Sequence, residues 1–235
     1  MKPRHLILLI GIPLLIVVTW VALRLTYTLQ FFVQPTNVNE PNLQKGNVVF
    51  TSILVEPERM DFITYLYDHT KFGKEYHIFR VVGIEGDTVQ LRGNTLYVNG
   101  RNMDEGMNLK KDYLLPVAVA DRLPWPTPAN KDESLLQTRM RYFRNDSSLV
   151  TLETEGQKEF VAQATMVPGF QPMTAMALEY NIHDWGHPEW TTHDFGPVVV
   201  PADHWFVLAD NRDHAMDSRF VGFVSRKDFR GTKIW

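Results

Sequence analysis

The sequence predicts a mainly β domain with an inserted α/β subdomain, carried behind one N-terminal transmembrane helix. Three observations predict it: an uncharged apolar run near the N-terminus, short β-rich runs in two separated blocks, and a compositionally different stretch between them. A length of 235 residues suits one domain carrying a sizeable insertion. Hydrophobic residues at 44% and charged residues at 22% are globular values, which excludes wholesale disorder.

The anchor comes first. From Leu6 to Leu23 no residue is charged. As a helix the run spans about 27 Å at about 1.5 Å per residue, close to a bilayer core. Pro13 is tolerable there, and Trp20 suits an interface. The run closes on Val21, Ala22, Leu23 and Arg24 without a small-residue cleavage motif, so it reads as an uncleaved anchor. Lys2 and Arg4 precede it and only Arg24 follows closely, which places the N-terminus in the cytoplasm. The ranges are then 1–5 cytoplasmic, 6–24 anchor, 25–100 and 198–235 β core, and 101–197 insertion. The first 24 residues hold three basic residues and no acid, so the remainder keeps 21 basic and 27 acidic residues, a charge of −6. Such a body is no nucleic-acid binder, and lipid contact must come from apolar side chains.

In the core, Asn47–Val55, Asp61–Tyr67 and Tyr76–Gly83 read as strands. Thr88–Arg92 and Thr95–Val98 flank Gly93-Asn94, a hairpin signal. Gly83 and Gly86 bracket a turn and suggest positive φ. Trp205–Leu208 and Phe220–Val224 flank a polar turn in which Asp217 and Arg219 can pair. In the insertion, Ser134–Arg144 is the best helix candidate, and 168–197 is irregular. His183, Asp184, His187, His193 and Asp194 crowd one stretch. Gly186 and Pro188 break any helix that would align them, so they read as a polar, aromatic loop and no metal is expected. The chain has no cysteine, which removes disulfides and thiolate chemistry. No phosphate loop or dinucleotide fingerprint is present, and no cofactor is expected.

Ala209–Val224 reads ADNRDHAMDSRFVGFV. It resembles the C-terminal signature of type I signal peptidases, Gly-Asp-Asn-Arg-x-Asn-Ser-x-Asp-Ser-Arg-x-x-Gly-x-Val. Asp210, Asn211, Arg212, Asp217, Ser218, Arg219, Gly222 and Val224 match it without a gap. Phe79–Asp87, FRVVGIEGD, is similar to the family's Lys-Arg-Val-Val-Gly-x-Pro-Gly-Asp block, with Arg80 in register, and Pro57–Tyr65 is similar to its Arg-Gly-Asp-Ile-Val-Val-Phe block. The resemblance implies a β-rich peptidase domain on the outer face of a bacterial inner membrane, single-pass, beside the exported precursors.

It also implies a serine nucleophile and a lysine base, and neither is present. The family's Pro-Ser-x-Ser-Met-x-Pro aligns with Pro35–Pro41, PTNVNEP, which puts Val38 at the nucleophile and Asn39 at the following methionine. The lysine falls on Phe79. Valine offers no attacking atom and phenylalanine accepts no proton. Ala209 replaces a glycine, and Ala215 replaces a serine near the base. Thr36 keeps a hydroxyl where the resemblance implies an oxyanion-hole contributor. Two functions follow as expectations. One is a non-catalytic family member that binds exported precursors, or partners another peptidase or assembly factor. The other is an active endopeptidase with a displaced Thr36/His77 pair, since strand alternation puts His77 on the face of Phe79.

Overall fold

The computed structural model describes residues 7–69, 73–123, 147–166 and 185–235. Ser134–Arg144, His183 and Asp184 lie outside them. The apolar run forms a π-helical turn, Ile7–Gly11, leading into helix α1, Ile12–Leu25. Pro13 sits in the first turn of α1, where its missing N–H costs nothing, so it is compatible with the start of the regular helix at Ile12. Among the described residues no helix is long and apolar enough to cross a membrane.

The described strands form three sheets. Strands β1 (Gln30–Val33), β2 (Val48–Ser52), β3 (Phe62–His69), β4 (Gly73–Gly83), β12 (His204–Leu208), β13 (Val224–Ser225) and β14 (Phe229–Lys233) make the largest, ordered β1-β2-β14-β3-β4-β12-β13. Strands β5 (Thr88–Arg92), β6 (Thr95–Val98), β7 (Arg101–Asn102) and β11 (Phe195–Val199) make a second, ordered β11-β5-β6-β7. Strands β8 (Lys110–Pro116), β9 (Ser147–Glu153) and β10 (Thr165–Met166) make a third, ordered β10-β8-β9. The mainly β expectation holds. At the two ends of the expected 101–197 insertion, β7 and β11 pair with β6 and β5 in the second sheet.

Side-chain alternation separates two cores across the largest sheet. Val82, Phe206 and Leu208 face the second sheet and pack with Val89, Leu91, Leu96, Val98 and Phe195. Phe79, Val81, Trp205 and Val207 face the other way and pack with Ile63, Tyr65 and Phe229. Gly93 and Asn94 both take positive φ, 54° and 59°, and join β5 to β6 as the two-residue hairpin the sequence signals. Gly86 uses positive φ, 81°, but Gly83 is a glycine for a different reason. A Cβ there would lie 2.6 Å from Val89 Cγ2 and 3.0 Å from Val200 Cγ2. It is the close approach of the two sheets that excludes a side chain.

The segment after β12 departs from the expected strand. Phe220 and Val221 belong to a helical turn, Ser218–Val221, and only Val224–Ser225 is extended. Asp217 causes this, because its carboxylate caps the turn by accepting from the Arg219 backbone N–H, and Gly222 at φ 79° ends it. The same carboxylate accepts from Arg219 Nε at 2.9 Å and from another guanidinium nitrogen at 2.8 Å, and from the Ala209 N–H at 3.1 Å. Arg219 also donates to the carbonyls of Thr192 at 2.8 Å and Arg212 at 2.5 Å. Ser218 Oγ accepts from the Val207 N–H at 2.9 Å. Asp217, Ser218 and Arg219 are all fully buried, and they pin the turn to β12.

Two substitutions test this account. Gly83→Ala should destabilise the protein by about 1–3 kcal/mol through overpacking, read from the denaturant midpoint in detergent. Arg219→Met leaves the Asp217 carboxylate buried without its partner and should cost about 3–5 kcal/mol in the same measurement.

Candidate functional site

The Pro35–Pro41 loop leaves the end of β1 and is closed at its base by Gln34 N–H to Asn47 O, 2.9 Å, and Gly46 N–H to Gln34 O, 2.8 Å. Asn39 is wholly buried, and its Nδ2 donates to the Ile78 carbonyl at 2.6 Å. This fixes the loop against β4 one residue before Phe79. From the other side the Asn211 N–H donates to Val38 O at 2.9 Å. Asn42 Nδ2 donates to Asp210 at 2.9 Å and to Asn108 O at 2.7 Å. Loop, strand and signature turn are thereby brought to one place.

What they bring there is apolar. Phe79 and Ala209 are buried in the cluster of Ile63, Tyr65, Val81 and Trp205, and Val38 and Ala215 pack against it half-buried. Four of the positions where the sequence departs from the peptidase pattern, Val38, Phe79, Ala209 and Ala215, therefore meet in one hydrophobic cluster. The Tyr65 phenol is within it, and burial, reinforced by the Asp217 charge, pushes it well above the usual phenol range, so it stays protonated.

His77 lies beside Phe79 on β4, ring centroids 5.8 Å apart, and is boxed by Tyr65 at 5.6 Å and Tyr67 at 5.3 Å. Burial lowers its pKa, against a raising effect of Glu75, whose carboxylate is 3.9 Å away. Its Nδ1 is enclosed without a hydrogen-bond partner among the described residues. Thr36 is exposed and its hydroxyl accepts from Gln34 Nε2 at 3.4 Å. Thr36 and His77 share no hydrogen bond among the described residues.

Around the cluster stands a polar frame. Arg80 binds Asp210 through two hydrogen bonds, 2.7 and 2.5 Å, and donates to Met60 O at 2.6 Å. Arg212 is fully buried, binds Asp104 at 2.6 and 3.1 Å, and donates to Ala209 O at 3.0 Å. Lys111 reaches Asp104 at 3.0 Å and Asn94 O at 2.6 Å. Burial lowers the Lys111 pKa, with Asp104 opposing it, while burial of Asp104 is outweighed by Arg212 and Lys111, which hold that carboxyl low. Sequence reasoning missed Asp104, Lys111 and Asp112, which follow no local pattern, and read His193 only as part of a polar, aromatic loop. Asp213 and His214 lie inside the signature window, at a position where any residue is allowed and at one where the pattern has asparagine.

His187 stacks on Trp190 at 4.1 Å and contacts Glu189, whereas His193 is buried on Asp213 at 2.5 Å. Among the described residues no three His, Cys, Asp or Glu side chains are grouped to hold a metal.

The family model described as signal peptidase, peptidase S26, matches residues 4–235. Signal peptidase I of Aquifex aeolicus (strain VF5) is 27% identical over 213 residues, 87% of this chain and 74% of that protein. Signal peptidase I P of Bacillus subtilis subsp. natto is 23% identical over 230 residues, 92% and 86% of the two chains. The crystal structure of a signal peptidase I from Enterococcus faecalis V583 is 21% identical, covering 76% of this chain and 97% of that one with a TM-score of 0.33. The chain belongs to the signal peptidase S26 family.

Proposed function

We propose that this chain is a non-catalytic member of the signal peptidase family, anchored in the membrane with its β body outside, where it binds extended segments of exported precursors or of a partner. The observation that carries the reading is the meeting of Val38, Phe79, Ala209 and Ala215 in one apolar cluster. Amide hydrolysis by this lineage needs an attacking oxygen and a proton acceptor in contact. Here an isopropyl group and a benzyl ring occupy those places, and their packing is self-consistent. Val38, Ala215, Tyr67 and Ile84 are half-buried against the cluster, and their partly exposed apolar surface is what the proposal assigns to a peptide's side chains.

The membrane part of the proposal rests on the uncharged run Leu6–Leu23 and on an apolar face beside the end of α1. Phe31 and Val33 stand opposite Phe50 and Val48 across β1 and β2, and Trp235 packs on Phe50 with ring centroids 5.7 Å apart. Phe31, Val33, Val48 and Trp235 are exposed, as are Ile53 and Leu54. The Ile53 N–H donates to Tyr27 O at 3.1 Å, which ties that face to the helix exit. An acidic body gains nothing from anionic lipid, so this patch is the means of bilayer contact.

Detergent-solubilised full chain incubated with a preprotein should bind it, read by fluorescence anisotropy, and release no mature product. Cleavage that disappears on Thr36→Ala or His77→Ala would overturn the non-catalytic reading and establish the displaced pair. In vesicles whose acyl chains are brominated, tryptophan fluorescence of the full chain should be quenched, and Trp235→Tyr should remove part of that quenching. Equal quenching in the variant places the β1–β2 face away from lipid.

A further inference from the structure

His214 stands where the family signature has asparagine, so a titratable ring has entered a turn that elsewhere carries a neutral amide. Its Nε2 lies 2.9 Å from Asp112 Oδ1 on β8 and 3.2 Å from Thr151 Oγ1 on β9. Both partners belong to the sheet of the insertion. His214 itself belongs to the turn whose neighbour Ala215 packs on the Val38–Phe79 cluster. The join is continuous along the backbone: Lys110 N–H donates to Asp210 O at 3.0 Å, Arg212 N–H to Lys110 O at 2.9 Å, and Asn211 N–H to Val38 O at 2.9 Å. β8, the turn and the loop of Val38 are therefore one hydrogen-bonded series. His214 adds to it a side-chain contact with Asp112, made by an imidazole that can change charge near neutral pH.

We propose that His214 is a proton-dependent clasp: protonated on Asp112 it fastens the insertion's sheet to the signature turn and the Val38 loop, and on losing that proton it loosens it. The groups facing it among the described residues favour this. Asp112 and Lys110 approach from β8, Thr151 from β9 and Asp213 from its own turn. Asp213 is itself engaged by His193 from the 185–194 loop at 2.5 Å, by Asn94 Nδ2 from the β5–β6 hairpin at 3.1 Å, and by the Asp112 N–H at 2.8 Å. Burial opposes the charged imidazole, but the hydrogen bond and charge of Asp112, with Asp213 adding to them, outweigh it and raise the His214 pKa despite Lys110. Asp112 is wholly buried; its Oδ1 also accepts from Thr151 Oγ1 at 2.6 Å, and its Oδ2 has no partner among the described residues, so its carboxylate is shielded from water and the imidazolium is its nearest counter-charge in the contact. The sign follows by linkage. A value raised in the folded state gives stability that is fully present below the unfolded value, about 6.5, and is lost as pH rises through the folded value.

The inference does not depend on whether the groove binds or cleaves, and its test uses neither activity. Hydrogen exchange of the full chain in detergent, corrected for intrinsic rates, should show protection of 110–116 and 147–153 falling about tenfold from about pH 5.5 to about pH 8.5. His214→Gln, which keeps a neutral donor, should abolish that pH dependence, and His187→Gln should leave it intact. The His214 ring, followed by NMR in the unmodified chain, should titrate above the ordinary imidazole value. A titration at or below that value, or a pH dependence unchanged in His214→Gln, overturns the proposal; the unmodified-chain titration decides if the variant does not fold.

Discussion

Two guanidinium groups buried to the last atom hold the turn between β12 and β13, and the arrangement around it depends on them. Removing Arg212 and Arg219 from water is expensive, and the cost is tolerable only because every direction they face offers an acceptor. Arg219 takes the Asp217 carboxylate and two carbonyls, and Arg212 takes the Asp104 carboxylate and a third. The Arg219 carbonyl acceptors come from Thr192, in a loop remote in sequence, and from Arg212 itself. The turn cannot move without separating a buried charge from its partners. This rigidity is what lets Asn211 hold the Val38 carbonyl at a fixed place.

Rigid support for a site does not dictate what chemistry the site carries. Asn39 shows this on the loop side. It sits where the related peptidases carry a methionine, yet its amide, by binding Ile78 O, keeps the loop seated on β4. Phe79 then fills its place in the core with contacts to Tyr65, ring centroids 6.4 Å apart, rather than holding an amine that would have to be desolvated. A lysine in that position keeps its usefulness only if hydroxyl neighbours can satisfy it once neutral. Ala215 and Val38 offer no hydroxyl to such an amine, and the aromatic ring packs with the apolar cluster instead.

The parts of this molecule that could be read from sequence are those with local rules. Short β-rich runs gave β3 and β4, Gly93-Asn94 gave the hairpin, and eight matching residues in an ungapped 16-residue window gave the turn. Val38 and Phe79 could be aligned to one site because two short motifs each carry their own landmarks. The failures have causes of the opposite kind. Phe220–Val224 looks like a strand because its residues are bulky and apolar, and tertiary capping by Asp217 overrides that preference. Gly83 suggests a turn conformation, but the reason is steric and lies on β5 and beyond, out of reach of any local pattern. Asp104, Lys111, Asp112, Asp213 and His193 meet only through the fold, so their network had no linear trace.

The signature motif and the catalytic pair therefore serve separable ends, and the separation explains how the family pattern can be so complete in a chain without the pair. Arg80–Asp210 and Asp217–Arg219 are structural ion pairs, and losing one partner of either would strand a charge inside the protein. The nucleophile and base positions carry no such penalty. Both already lie against Ile63, Tyr65 and Val81, so an apolar side chain there adds to an existing core instead of disrupting it. Loss of chemistry at Val38 and Phe79 is energetically easy, whereas loss of the frame is not. A fold built this way keeps the signature turn, the Val38 loop and the junction with β8 joined by hydrogen bonds whichever side chains stand at positions 38 and 79.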